Sequence, residues 1–134
     1  MLVRRREVMP LRTDQDVVRA RQAVRGLSIE LGFGLVDITK IVTASSELAR
    51  NALQHGGGGT LTMEAFDDGF RRGVRLVFED QGRGIPDIAR ALQDGYTTGT
   101  GMGLGLGGSR RLMHDFDIQS ESGQGTRVTV VRWK

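Results

Sequence analysis

Cysteine is absent from the 134 residues, which excludes disulfides, thiolate nucleophiles and zinc–thiolate sites. That lack suits a reducing compartment, and the expectation is a cytoplasmic chain. No apolar run reaches the length of about 18 residues that a membrane-spanning helix needs, so none is expected. The N-terminal MLVRRREVMP carries an arginine cluster with no apolar core behind it, so it does not read as a signal peptide. Aromatics make up only 5%, and none interleave with arginines as a base-stacking stripe would. With a net charge of only +3, nucleic acid is not an expected partner. Lysine is nearly missing as well: Lys40 and Lys134 stand alone among 19 basic residues. Neither follows a glycine, which excludes a Walker A loop. H-R-D and D-F-G are missing too, which excludes the ordinary protein-kinase motif set.

What is abundant is glycine, at 20 residues, and it is clustered. The order of elements around the clusters is readable. Val3 to Leu11 reads as an edge strand closed by Pro10. Thr13 or Asp14 caps a helix whose apolar face is Val17, Ala20, Val24, Leu27 and Leu31, and Gly32 and Gly34 end it. A second helix runs from Val36 to His55, with Ile38, Ile41, Ser45, Leu48 and Ala52 on its core face, and Gly56 to Gly59 stop it. Strands follow at Thr60 to Phe66 and Val74 to Glu79, joined by the turn Asp67-Asp68-Gly69. Then come a loop at Gly82 to Pro86, a short helix at Ile88 to Leu92 and a helix at Leu104 to His114. The last strands are Phe116 to Glu121 and Thr126 to Trp133. This β-α-α-β-β-α-α-β-β order predicts one domain over 1–134. Its fold class is α+β: a two-layer α/β sandwich, mostly antiparallel sheet with helices on one face.

Three motifs carry chemistry. On the second helix, Glu47 and Asn51 point about 40° apart at 100° per residue, outside the packed arc. A carboxylate there can act as a general base, and an amide oxygen is a hard ligand suited to Mg²⁺. A solvated polar face would look the same, and His55, one turn further on, reads as a helix-end residue. After the second of the middle strands comes Asp80-Gln81-Gly82-Arg83-Gly84-Ile85-Pro86. An aspartate at a strand end can accept a hydrogen bond from an exocyclic amine, and two glycines spaced by one residue let backbone approach a flat ring. The third motif, Gly99 to Gly108, runs into a helix although glycine is a poor helix former. Backbone N–H groups at a helix entry bind phosphate well. A Rossmann fingerprint would place such glycines after a first strand, not this late.

Taken in order, these motifs and the Gly125-Thr126 pair resemble the N, G1, G2 and GT boxes of the GHKL (Bergerat-fold) superfamily. Histidine-kinase catalytic domains, gyrase and Hsp90 belong to it, and the resemblance covers nearly the whole chain. More narrowly, the chain is similar to the small anti-sigma-type serine/threonine kinases, above all to the switch kinases of the bacterial stressosome pathway. Glu30-Leu31-Gly32-Phe33-Gly34, Ser46 to Asn51, Glu79 to Gly82, Gly84 to Ile88 and Arg111-Leu112-Met113 carry that likeness.

The resemblance implies ATP and Mg²⁺ as cofactors and assigns roles. Glu47 would be the catalytic base toward a substrate hydroxyl, and Asn51 the Mg²⁺ ligand. Asp80 would accept from the adenine amine, beside Gly82 and Gly84. Gly99, Thr100, Gly101, Met102, Gly103, Leu104 and Gly105 would wrap the phosphates, with Gly95 to Gly101 as a lid. Thr126 would support the adenine site. Implied partners are STAS-domain proteins as substrates and a PP2C-type phosphatase, with no nucleic acid and no membrane. Two other readings are a kinase that sequesters a sigma factor directly and a nucleotide-sensing module with little catalysis; Glu47 argues against the latter. One departure stands out. Related kinases can carry a lid arginine, yet Tyr96 to Met102 holds no basic residue. The γ-phosphate charge then falls to Mg²⁺, backbone N–H groups, or an arginine from elsewhere.

Overall fold

Thr13 is what starts the first helix. Its hydroxyl accepts from the Asp16 N–H at 3.1 Å, and the Asp16 carboxylate accepts from the N–H groups of Thr13 and Arg12 at 3.2 and 2.9 Å. This reciprocal capping box satisfies donors that a helix start leaves orphaned. The structure, a computed structural model, describes residues 2–85, 88–92 and 105–134. Its elements run β1 (Leu2–Leu11), α1 (Asp14–Glu30), α2 (Leu35–Gln54), β2 (Gly59–Asp67), β3 (Arg72–Asp80), α3 (Ile88–Ala91), α4 (Gly105–Leu112), β4 (Asp115–Ser120) and β5 (Thr126–Trp133). The five strands form one antiparallel sheet in the order β1-β2-β3-β5-β4. Pro10 lies within β1 opposite Thr60 rather than ending it; an edge strand tolerates the missing donor.

Register explains the layering. Leu61 pairs with Phe78 and Phe78 with Val128; Met63 pairs with Leu76 and Leu76 with Val130. All of these are buried, so alternate residues of the three central strands form one apolar face. Helix α1 contributes Val17, Ala20, Val24 and Leu27, and α2 contributes Ile38, Ile41, Ala44, Leu48, Ala49 and Ala52 to the same core. On the opposite face of the sheet Arg75 pairs with Glu64 at 2.7 Å, and the Phe66 and Trp133 rings meet edge-on with centroids 4.8 Å apart. The α+β two-layer architecture expected from the sequence is therefore the one observed. Among the described residues no helix is long and apolar enough to cross a membrane.

Helix α4 is shorter than its apolar pattern suggests. It ends at Leu112, and the His114 N–H already donates to the Val131 carbonyl at 2.9 Å, at the start of the β4–β5 pairing. Its Gly107, Gly108 and Ser109 are buried, and α4 packs on α2. Small residues on that face let the two backbones come close. Arg132 then clamps the corner, donating to the Asp37 carboxylate at 2.7 Å and to the Leu112 carbonyl at 3.0 Å. The C-terminal part of α2, the start of α4 and the ends of β3 and β5 thus meet around one cavity.

Candidate nucleotide site

The cavity has a volume of about 370 Å³, within the range of small-ligand sites. Helix α2 supplies Leu48, Asn51, Ala52 and His55 to its wall. Phe78, Asp80, Thr126 and Val128 come from β3 and β5, and Gly105 and Leu106 from α4. Leu48, Ala52, Phe78 and Val128 make the wall apolar, and Asp80 is the carboxylate set into it. Burial pushes the Asp80 carboxyl above the ordinary carboxylate range, while the Gly82 and Thr126 backbone N–H groups and nearby His55 pull the other way. Its Oδ1 accepts from the Gly82 N–H at 3.0 Å.

The glycines of the Asp80 loop are used for packing. A Cβ on Gly82 would lie 2.6 Å from the Gly56 Cα, so the loop after β3 sits directly on the turn after α2. Gly82 therefore supports the site from behind and is not part of the cavity wall. Gly84 does line the cavity. Its φ is +76° and a Cβ would come 1.9 Å from the Glu121 carbonyl oxygen, so both conformation and space require glycine there. The loop is tied down by Ser120, whose hydroxyl accepts from the Ile85 N–H at 2.7 Å and donates to the Gly125 carbonyl at 2.9 Å. The Thr126 hydroxyl lies 2.8 Å from the Ser120 hydroxyl oxygen. Thr126 thus holds the cavity wall through Ser120 as well as lining it.

Of the residues singled out from the sequence, Asn51, Asp80, Gly84, Gly105 and Thr126 are brought together on this wall. Glu47 lies one turn from Asn51, outside the lining, with its side chain 14% exposed and paired to Arg50 at 3.1 Å. Gly99, Thr100, Gly101, Met102, Gly103 and Leu104, with the lid expected over 95–101, fall outside the described residues. Sequence reasoning missed three polar residues that line the cavity: His55, Arg83 and Ser122. His55 is the C-cap of α2, and only its spacing of four from Asn51 could have hinted that it shares Asn51's face. Ser120, a lone serine near a strand end, carried no signal at all.

No group of three or more His, Asp or Glu side chains that could hold a metal occurs among the described residues. The donor set still fits Mg²⁺, which typically takes one or two protein oxygens and completes its shell with phosphate and water. Asn51 offers one such oxygen in the cavity wall. A second recess of about 560 Å³ opens beside the first, lined by Glu79, Gln81, Gln119, Glu121, Gln124 and Arg127 among others. It shares Asp80 and Thr126 with the first cavity and also includes Ile88 and Ile118.

The model of the histidine kinase-, DNA gyrase B-, and HSP90-like ATPase family matches residues 36–134. The serine/threonine-protein kinase RsbT of Bacillus subtilis (strain 168) is 45% identical over 121 residues, 90% of this chain and 91% of that one. The anti-sigma F factor of Thermoanaerobacter sp. (strain X514) is 30% identical over 129 residues, 92% and 89% of the two chains. Among solved structures, a mycobacterial sensor histidine kinase, MprB, matches with a TM-score of 0.57 at 19% identity, over 96% of this chain and 97% of that one. That last likeness is one of fold alone.

Proposed function

We propose a partner-switching role for this chain, which belongs to the histidine kinase-, DNA gyrase B-, and HSP90-like ATPase family and is a serine/threonine-protein kinase. Its substrates in this reading are STAS-domain antagonist or scaffold proteins of a bacterial stress response, and a PP2C-type phosphatase is the partner it binds afterwards. The observation that supports the reading most is one cavity lined by Asn51 and Asp80 with Glu47 one helical turn away. The 45% identity to a serine/threonine kinase of matching length adds to it.

In this reading the chain's own residues divide the work. Asp80 accepts from the adenine amine while Phe78 and Val128 face the ring. Asn51 would hold Mg²⁺, which when bound neutralises charge on the phosphates. Glu47 takes the proton from the serine or threonine hydroxyl as that oxygen attacks the γ-phosphorus. Catalysis of this kind is mostly positioning and electrostatics, which a rigid sheet and one long helix provide.

The direct test is incubation with γ-labelled ATP and Mg²⁺ together with purified STAS-domain proteins of the same organism, followed by phosphosite mapping. Labelled phosphoserine or phosphothreonine on one of them is expected; no label on any would sink the substrate assignment. The likeness to an anti-sigma F factor favours, as a second reading, a kinase that also binds a sigma factor directly. Co-purification of a sigma factor with this chain from cells of the same organism would select it.

Asn51→Ala gives an independent check on the metal. With its amide removed, ATP affinity is expected to become less dependent on Mg²⁺. The measurement is calorimetric titration of wild type and variant, each with Mg²⁺ and with EDTA. An unchanged ratio of the two affinities would remove Asn51 from the metal site.

A further inference from the structure

Glu47 is not alone at the edge of the cavity. Arg50, three residues along α2, places Nη1 3.1 Å from Glu47 Oε1. Seen down the helix at 100° per residue, Asn51 lies about 40° to one side of Glu47 and Arg50 about 60° to the other. The cavity wall is on the Asn51 side, where Leu48, Asn51, Ala52 and His55 contribute to it. The guanidinium therefore grips the carboxylate from the flank away from the nucleotide. It engages a single oxygen, and Glu47 Oε2 has no hydrogen-bond partner among the described residues. Glu47 is mostly buried, at 14% side-chain exposure, against 38% for Arg50.

A part-exposed ion pair three residues apart on a helix contributes little to folding. Its geometry is better suited to orientation. A glutamate side chain has several rotatable bonds, and a general base must hold its accepting oxygen within hydrogen-bond reach of the attacking hydroxyl. An arginine that fixes one oxygen fixes the direction of the other.

We propose that Arg50 is a positioning residue for phosphate transfer, holding Glu47 Oε1 so that Oε2 faces the incoming substrate hydroxyl. The proposal rests on the reading of Glu47 as the general base. In the step it serves, the hydroxyl proton passes to Oε2 and the hydroxyl oxygen bonds to the γ-phosphorus. The bond from the γ-phosphorus to the bridging oxygen breaks, and its electron pair leaves with ADP. Arg50 exchanges no proton and bonds to neither reactant. It also lies on the wrong flank to replace the basic residue that the segment from Tyr96 to Met102 lacks.

The test is single-turnover transfer from γ-labelled ATP–Mg²⁺ to purified STAS-domain proteins, with ATP affinity measured by calorimetry on the same samples. Arg50→Ala is expected to lower the transfer rate by about 10- to 100-fold, the scale of a misplaced catalytic group. ATP affinity and the KM for the STAS protein should be unchanged, and Arg50→Lys should recover part of the rate. In a Glu47→Gln background, Arg50→Ala should cost nothing further, because the two act as a unit. A wild-type or raised rate in Arg50→Ala would overturn the proposal. So would a change confined to KM, or an undiminished loss in the Glu47→Gln background. If wild type labels a STAS protein and one of these outcomes follows, the positioning role alone fails. If wild type labels none, the substrate reading fails and this proposal falls with it.

Discussion

Glu47→Gln is expected to slow phosphate transfer by about 10²–10⁴-fold, the usual cost of losing a general base, while leaving ATP affinity unchanged. The split follows from position. Glu47 is outside the residues that line the cavity, whereas Asn51, one turn on, is among them. The substitution is also conservative in shape: the glutamine carbonyl can still accept from Arg50 Nη1, which now reaches Glu47 Oε1 at 3.1 Å. What is lost is the ionised oxygen that takes the proton. The loss should therefore appear in the rate constant at saturating ATP and saturating STAS protein, with neither KM affected. Wild-type transfer by a folded Glu47→Gln protein would remove Glu47 from the chemistry and leave it as one half of a helix ion pair with Arg50.

Much of this architecture could be read from the sequence because it is built from periodic burial. The seven buried positions of α2, from Ile38 to Ala52, repeat at helical spacing, and Glu47 and Asn51 fall outside them on one side. Along β2 and β3, Leu61 and Met63, and Leu76 and Phe78, recur at every second position on the face toward the helices, and Asp80 stands where β3 ends. What could not be read depends on contacts between segments far apart in the chain. Gly82 faces Gly56 across 26 positions of sequence, and a Cβ there would lie 2.6 Å from the Gly56 Cα. No local pattern distinguishes that packing from backbone laid against a ligand. Ser120 is one hydroxyl near the end of a strand, yet it ties Ile85, Gly125 and Thr126 together. His55 looks like a helix end because it is one; that its ring also faces Asp80's cavity depends on where β3 passes. The end of α4 misled for a similar reason. Met113 and His114 continue a helical pattern, but pairing with β5 captures the backbone at His114 first.

Asp80→Asn is expected to weaken ATP binding by about 1–3 kcal/mol, roughly 5- to 150-fold, because a buried hydrogen bond is replaced by two opposed donors. The asparagine Oδ1 can keep the bond from the Gly82 N–H, now 3.0 Å long, so the loop geometry survives. Its amide NH₂ would then meet the adenine amine. Stability should move the other way. Burial raises the Asp80 pKa, so the folded protein binds this proton more readily than the unfolded chain does. The ionised carboxylate is thus a cost to the fold at neutral pH, relieved only as pH falls through the raised pKa. Asp80→Asn removes that cost at every pH, and urea unfolding at neutral pH should find the variant no less stable than wild type. The same shift fixes a pH signature for binding. Adenine recognition needs the carboxylate ionised, so wild-type affinity should begin to fall above the ordinary carboxylate range as the solution is acidified. In the asparagine variant no such group titrates. The difference between the two affinity profiles isolates Asp80 from the titration of ATP itself. If the profiles run parallel, or a stable Asp80→Asn protein binds ATP as tightly as wild type, the adenine amine is not held by Asp80.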